Sequence, residues 1–484
     1  MSLHRAIALT VWWVIPVLAS AQSPSEMKPV ADQIAGSIYS GPSMTTLGEL
    51  ADGIGGRLTG SPAYVRATEW AVAKFRSYGI QNVKLDPFTI PAGWQRGPAT
   101  GAMLAPLSRP LYVASLGWSP STPVGGVQGP VVLIADVAPE ALKAREAELH
   151  GKIVLLDTSK IYAEGYGKAM AKMEVAWSAF QKAGVLAVLS PDREKNNVLN
   201  AHGVGWGAKL LPLPGAEIGM EDAKLIQREL ERGPVSLQLS LENKTSGEIT
   251  VNNVIAEIRG SERPDEWILI GAHLDSWDFG TGAQDNGTGT ASVLEIGRAL
   301  MSLGKPPRRS IRLALWGGEE EGLLGSYAYT QSHLAELNQC VAVLNTDNGA
   351  GHPKGWKTEG REDLKKAMQP WSDGLLKNIG GGDLSTETTY DTDHGPFMLE
   401  GIPVLDLWVD MTHYFEVHHK SSDTLDKVDS LDFKGGEAIV AVTAYAIAQT
   451  DTPIAPHIDH AAVAEILKKA KLDEMLEHIG VWKP

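Results

Sequence analysis

Residues 271–290 read GAHLDSWDFGTGAQDNGTGT. An apolar strand, EWILIGAH (266–273), ends in His273, and a loop too rich in glycine to be core carries the chain on to Asp285. After Asp285, Val293, Ile296, Leu300 and Leu303 share one helical face and Gly304 follows as a stop, so Asp285 sits close to a helix start. Strand, glycine loop and helix in that order form the repeating unit of an α/β fold on a largely parallel sheet.

Downstream the pattern recurs. SIRLALWGG (310–318) leads into Glu319 and Glu320, VAVLNT (341–346) into Asp347, and the strand-like IPVLDLWV (402–409) precedes His418 and His419. Ligands of open α/β sheets collect beyond the carboxyl ends of strands, so His273, the glutamate pair and Asp347 share one crevice. Each residue alone has a blander reading: a loop histidine, an N-cap at Asp285, a solvated helix start at Glu319–Glu321, a turn at Asp347. Their conjunction is harder to explain that way. Imidazole and carboxylate are the ligands zinc takes where thiolate is lacking. A central aspartate can bridge two cations roughly 3.5–4 Å apart, leaving one carboxylate free to act as a base.

Competing signatures are absent: no HExxH helix, no GxxxxGK[ST] loop, no GxSxG elbow, and no dinucleotide fingerprint among the glycines from Gly280 to Gly289. These glycines let backbone approach the site. Asp423, Asp426, Asp429 and Asp432 read as a solvated turn and helix start rather than a calcium loop.

The 484 residues exceed the size at which one core stops growing, which points to two domains. With 43% apolar residues the composition suits a globular α/β protein, and a net charge of −15 argues against nucleic acid or an anionic membrane as partner. Residues 1–21 read as a cleaved export signal: Arg5, the apolar stretch AIALTVWWVIPVLA, then Ala19-Ser20-Ala21. That stretch is shorter than the roughly 20 residues of a membrane span, so the expected location is secreted or periplasmic with no stable membrane anchor. The lone Cys340 forms no internal disulfide and reads as a small buried hydrophobe. Ser61-Pro62 caps a helix whose stripe is Tyr64, Ala67, Ala71, Phe75 and Tyr78. From Gly126 the short buried strands PVVLIAD, GKIVLLD and GVLAVLS, and the alternating VSLQLSLE, read as a β-rich insert over 126–245, splitting the catalytic domain into 22–125 and 246–484.

HLDSWD, the Asp285-Asn286-Gly287 loop, GGEEEGLLGS, NTD and HHKSSDT resemble, in order and spacing, the co-catalytic zinc exopeptidases of the bacterial leucyl aminopeptidase type. Within them the chain is most similar to the carboxypeptidase Q group, also at GGRLTGS and WQRG. The resemblance implies a mixed sheet sandwiched by helices, an inserted protease-associated domain, two Zn2+ ions per chain and a small peptide substrate. It implies that His273, Asp285 and Asp347 bind one zinc and Asp285, Glu320 and His419 the other. Glu319 would then be the general base and Asp275 the group orienting His273. His419 is preferred to His418 because the family histidine stands four residues before an aspartate, here Asp423. Where many relatives have paired aspartates this chain has Asp285-Asn286, and Gly318 replaces an alanine. In TTYDTDHGPF (388–397), Asp393 and His394 are expected to contact substrate, and a homodimer is implied. An exopeptidase acting on unblocked dipeptides leads. An aminopeptidase on longer peptides, a one-zinc glutaminyl cyclase-like acyltransferase and a non-catalytic receptor-like ectodomain are the alternatives.

Overall fold

The computed structural model describes residues 23–164, 166–204 and 207–483. The export signal expected at 1–21 lies outside the described residues. Among them, no helix is long and apolar enough to cross a membrane.

The Arg263–His273 strand lies inside an eight-stranded sheet. It pairs in parallel with Arg309–Trp316 on one side and Cys340–Asn345 on the other, and Val404–Val409 joins in parallel beyond the latter. Ile249–Ile258 and Asn82–Ile90 extend one edge in antiparallel fashion. Pro353–Lys357, antiparallel to Val404–Val409, and Asp383–Ser385 form the other edge. The sheet is mixed, and its four central strands all end on the same side. His273 lies opposite Trp316, and Gly271 opposite Asn345, so the segments leaving these strands must meet.

Period-two alternation gives each face its own core. Ile268, Ile270, Leu313, Leu315 and Leu344 pack with Val293, Ile296 and Ile439 on one face. Trp267, Leu269, Ala314, Trp316 and Val343 pack with Tyr329, Phe397, Val463 and Leu467 on the other. Each such side chain stabilises the fold by about 1.5–3 kcal/mol. Ser61 caps the Pro62–Ser77 helix through its Oγ, and Tyr64, Ala67, Ala71 and Phe75 are buried as the stripe predicts. The Thr288–Met301 helix departs from the single apolar face expected of it, because it is buried nearly all round. Gly289, Ala291, Gly297 and Ala299 let it sit between the sheet and the helices Pro24–Tyr39, Pro62–Ser77 and Ser430–Gln449.

A second eight-stranded sheet gathers strands from Ala99 to Leu241. Val127–Ile134, Ile153–Leu156, Ala187–Pro191 and Gly215–Ile218 run parallel in its middle. The helices Tyr166–Lys182 and Met220–Arg232 each contribute to one of its two cores. Ala99–Ala105, Arg109–Leu111 and Val113–Ser115 also belong to this sheet although they precede Gly126. Their small residues and Pro110 give no strong strand signal. The chain enters and leaves this unit side by side, through a ribbon of Trp94–Gln95 and Lys244–Thr245.

Candidate metal centre

The strand ends assemble a compact group of titratable side chains. His273 is 1% exposed, and its Nε2 lies 3.2 Å from Asp285 Oδ1 and 3.4 Å from Asp347 Oδ2. Glu319 Oε2 is 3.9 Å from the same nitrogen. The other oxygen of Asp285, Oδ2, lies 3.2 Å from His419 Nε2, which is 3.0 Å from Glu320 Oε2. Asp285 therefore turns one oxygen to each of two imidazoles, one group with His273 and Asp347, the other with His419 and Glu320. His418 Nε2 also comes within 3.5 Å of Asp285 Oδ2, its ring stacked on His419 at 3.6 Å, and it too could donate to a cation beside Asp285. Only His419 also has a close contact to Glu320.

Local hydrogen bonds explain why the loop adopts this shape. Arg57 is fully buried and donates to four carbonyls, those of Gly55, Leu274, Thr281 and Gly282. It fastens both ends of the 274–282 loop. A side chain at Gly280 would fall 2.6 Å from the Lys420 carbonyl oxygen, so glycine permits the backbone contact there. Asn286 donates from Nδ2 to the Thr346 carbonyl and accepts from Gly289 N–H. An ionised aspartate could not make the first bond. Asp275 differs from expectation in detail: its backbone carbonyl is 3.1 Å from His273 Nδ1, while its carboxylate stands 3.6 Å away. That carboxylate instead accepts from Thr59 Oγ1 and from the N–H groups of Glu319 and Glu320.

Asp423 is 3% exposed, not part of a solvated turn, and accepts from Gln284 N–H at 2.7 Å and Asp285 N–H at 3.1 Å. Asp429 does cap the following helix as expected. Asp393 and His394, expected at the substrate, are 2% and 0% exposed. Both ring nitrogens of His394 are engaged, with Thr392 Oγ1 and the Thr389 carbonyl, and Asp393 accepts from Ser326. The ring of His394 is thus engaged within its own loop, while Asp393 Oδ2 is buried without a hydrogen-bond partner.

The electrostatics call for a cation. Burial, and then Asp347, Glu320 and Asp393, hold the Glu319 carboxyl well above its ordinary range. Burial and Asp285 push Glu320 up to about 7. Burial alone would lower His419, but Glu320 and Asp285 overrule it and raise it to about 10, while burial and His419 depress His418 to about 4. His273 Nε2 and Asp285 Oδ2 are buried without any hydrogen-bond partner. Buried carboxylates around unpartnered donor atoms are what a divalent cation satisfies, and the residues fit a zinc pair in kind and number.

The sequence pattern of Peptidase family M28 matches residues 253–443. The chain is 32% identical to carboxypeptidase Q of Bos taurus over 412 residues, covering 83% of this chain and 84% of that one. It is 30% identical to carboxypeptidase Q of Homo sapiens over 412 residues, with the same coverage. The crystal structure of a peptidase M28 precursor from Shewanella amazonensis superposes with a TM-score of 0.77 at 29% identity, covering 90% of this chain and 100% of that one. A zinc aminopeptidase from Bacillus subtilis shares the fold, with a TM-score of 0.63 at 22% identity over 83% of this chain and 93% of its own.

Proposed function

Because the chain belongs to peptidase family M28, we propose that it is a two-zinc exopeptidase that cleaves small unblocked peptides, dipeptides first among them. The observation that carries this reading is the placement of Asp285 between His273 and His419, one carboxylate oxygen toward each. His273, Asp285 and Asp347 would hold one ion, and Asp285, Glu320 and His419 the other. When bound, zinc supplies Lewis acidity toward the scissile carbonyl and lowers the pKa of water.

The protein's own groups do the rest. Glu319 stands beside the cluster and is 13% exposed, so it can take the proton of the attacking water and return it to the leaving amine. Asp275 holds the turn of Glu319 and Glu320 by their N–H groups, and its carbonyl fixes His273 with Nδ1 protonated and Nε2 facing the centre. A small crevice lined by Trp277, Asp285, Glu320 and His419 gives access to this cluster. With its full ligand set the site supports the peptidase reading over a one-zinc acyltransferase or an inert ectodomain. We read the second unit as the inserted protease-associated domain.

The test is hydrolysis of an unblocked dipeptide, its carboxyl-terminal amide and its N-acetyl form by zinc-loaded protein. Cleavage of the free dipeptide alone is expected. Equal cleavage of dipeptide and amide would make the enzyme an aminopeptidase, and no cleavage of any of the three would remove the reading.

A further inference from the structure

The ligand His419 has a left-handed backbone, with φ of 60°. For a residue with a Cβ this conformation costs about 1–2 kcal/mol and persists only where neighbours fix it. Locally the turn closes on itself, Lys420 N–H donating to the Val417 carbonyl at 2.9 Å with His419 at its third position, and the second unit holds that turn from outside. Ala201 N–H donates to the His419 carbonyl at 2.8 Å, Asn200 Nδ2 reaches the His418 carbonyl at 3.4 Å, and Asn200 pairs with Lys420 as an antiparallel bridge. Lys420 Nζ donates to the Phe415 carbonyl and meets Glu194 at 3.1 Å. On the other side of the crevice, Gly207 N–H donates to the Glu321 carbonyl, beside the glutamate pair.

The bracing segment is itself anchored. In extended chain, successive N–H groups point to opposite sides. Asn200 and His202 point theirs into the second unit, to Asp192 Oδ2 at 2.6 Å and Glu217 Oε1 at 3.3 Å. Ala201, between them, points its N–H out to His419. Asp192 and Glu217 are 7% and 0% exposed, so the anchor is part of the packed second unit.

We propose that the second unit is a positioning device for one metal site: Asn200–His202, held by Asp192 and Glu217, clamps the left-handed turn that aims His419 at Asp285 and Glu320. This rests on the reading of His419 as a zinc ligand. Losing the clamp weakens the site of Asp285, Glu320 and His419 and spares the site of His273, Asp285 and Asp347, to which no hydrogen bond from the second unit runs among the described residues.

The experiment titrates zinc against a chromophoric chelator in the full-length protein, in Asp192→Ala, in Asp192→Asn and in the double variant Glu194→Ala/Asn200→Ala, with absorption spectra of the cobalt forms. The parent is expected to bind two ions. Asp192→Ala should weaken one of them roughly tenfold, the order of one hydrogen bond to a charged group, and change one cobalt band set. Asp192 accepts from Glu194 N–H with one oxygen and from Asn200 N–H with the other, so Asp192→Asn, which keeps one acceptor, should lose less than Asp192→Ala at the same single site. The double variant, which leaves the second unit's interior intact, should weaken the same single site and serves if Asp192→Ala does not fold. Parent-like affinity at both sites in Asp192→Ala and in the double variant overturns the clamp while leaving the metal assignment standing. Equal weakening of both sites in a folded variant also overturns it. A parent that binds no more than one ion removes the two-metal reading itself.

Discussion

Asp423 holds Asp285 by its backbone: Oδ2 of the former accepts the N–H of the latter at 3.1 Å, while Oδ1 accepts Gln284 N–H at 2.7 Å. The residue bridging the two halves of the site is thus fixed from behind by a carboxylate that does not face a metal group. Burial, together with the negative charge of Asp285, pushes Asp423 up to about 6.

Replacing Asp423 by alanine strands two buried donors, each costing about 1–3 kcal/mol. Asp423→Ala should therefore lower the melting temperature and weaken zinc binding, whereas Asp423→Asn, which keeps one acceptor, should lose less of both. Calorimetry with and without zinc checks this; identical curves for parent and Asp423→Ala would show that the contact has no hold on Asp285.

Glu319 is assigned the proton transfers and no ligand contact. Glu319→Gln should retain the metal content of the parent and lose about 10²–10⁴-fold in kcat, the range of a general base. Metal analysis alongside steady-state kinetics separates the two, and a variant that turns over normally would strip Glu319 of its role.

Arg57 makes its four carbonyl bonds as a rigid planar fork, which lysine cannot reproduce. Arg57→Lys should destabilise the protein by roughly 3 kcal/mol, because buried carbonyls lose charged donors. Urea unfolding measures it. A loss within error of zero would mean water replaces the fork.

Glu437 gives a pH-dependent prediction remote from the metals. It is 1% exposed, accepts from Ser43 Oγ at 2.5 Å, and burial holds its carboxyl well above the ordinary value of 4.5. The folded protein keeps this proton while the unfolded chain loses it above that value. The folded state is then penalised increasingly as pH rises from 4.5 toward the folded pKa. Glu437→Gln removes the penalty, so its melting temperature should gain progressively on the parent over the interval above pH 4.5. A constant difference across that interval would contradict the assignment.

Removing metal should destabilise the fold, because the buried carboxylates lose their counter-charge. Free zinc at 100 times its Kd adds about 2.7 kcal/mol through the folded state alone. Chelation should lower the melting temperature and zinc should restore it; magnesium, which prefers all-oxygen octahedral sites, should not.

The central sheet is legible in the sequence, and so is the meeting of several titratable residues at its strand ends, because three of them close or directly follow an apolar run. His273 closes ILIGAH, Glu319 follows LALWGG and Asp347 follows VLNT. What supports them is less legible. Arg57 is a lone arginine among glycines, indistinguishable by pattern from a surface residue, and its burial follows from tertiary packing. Asp423 lies among Ser, Thr, Asp and Lys, a composition that signals a solvated turn, yet the approach of Gly280 buries it. That His419 rather than His418 meets Glu320 goes with a left-handed backbone at His419 that no residue type announces. The bonding of His394 is equally hidden in the sequence: both its ring nitrogens are engaged by Thr392 and Thr389 of its own loop, partners that only the folded loop brings to it.

The narrow ribbon of Trp94–Gln95 and Lys244–Thr245 has a consequence for the growing polypeptide. Every strand of the second sheet lies between Ala99 and Leu241, so that unit can close during translation while the first sheet still lacks Val404–Val409. Domains emerging first tend to fold first. On that order the strand-like segment that receives His419 is made, and able to close, before the ribosome reaches His419, so the second unit can serve as the template on which that turn settles.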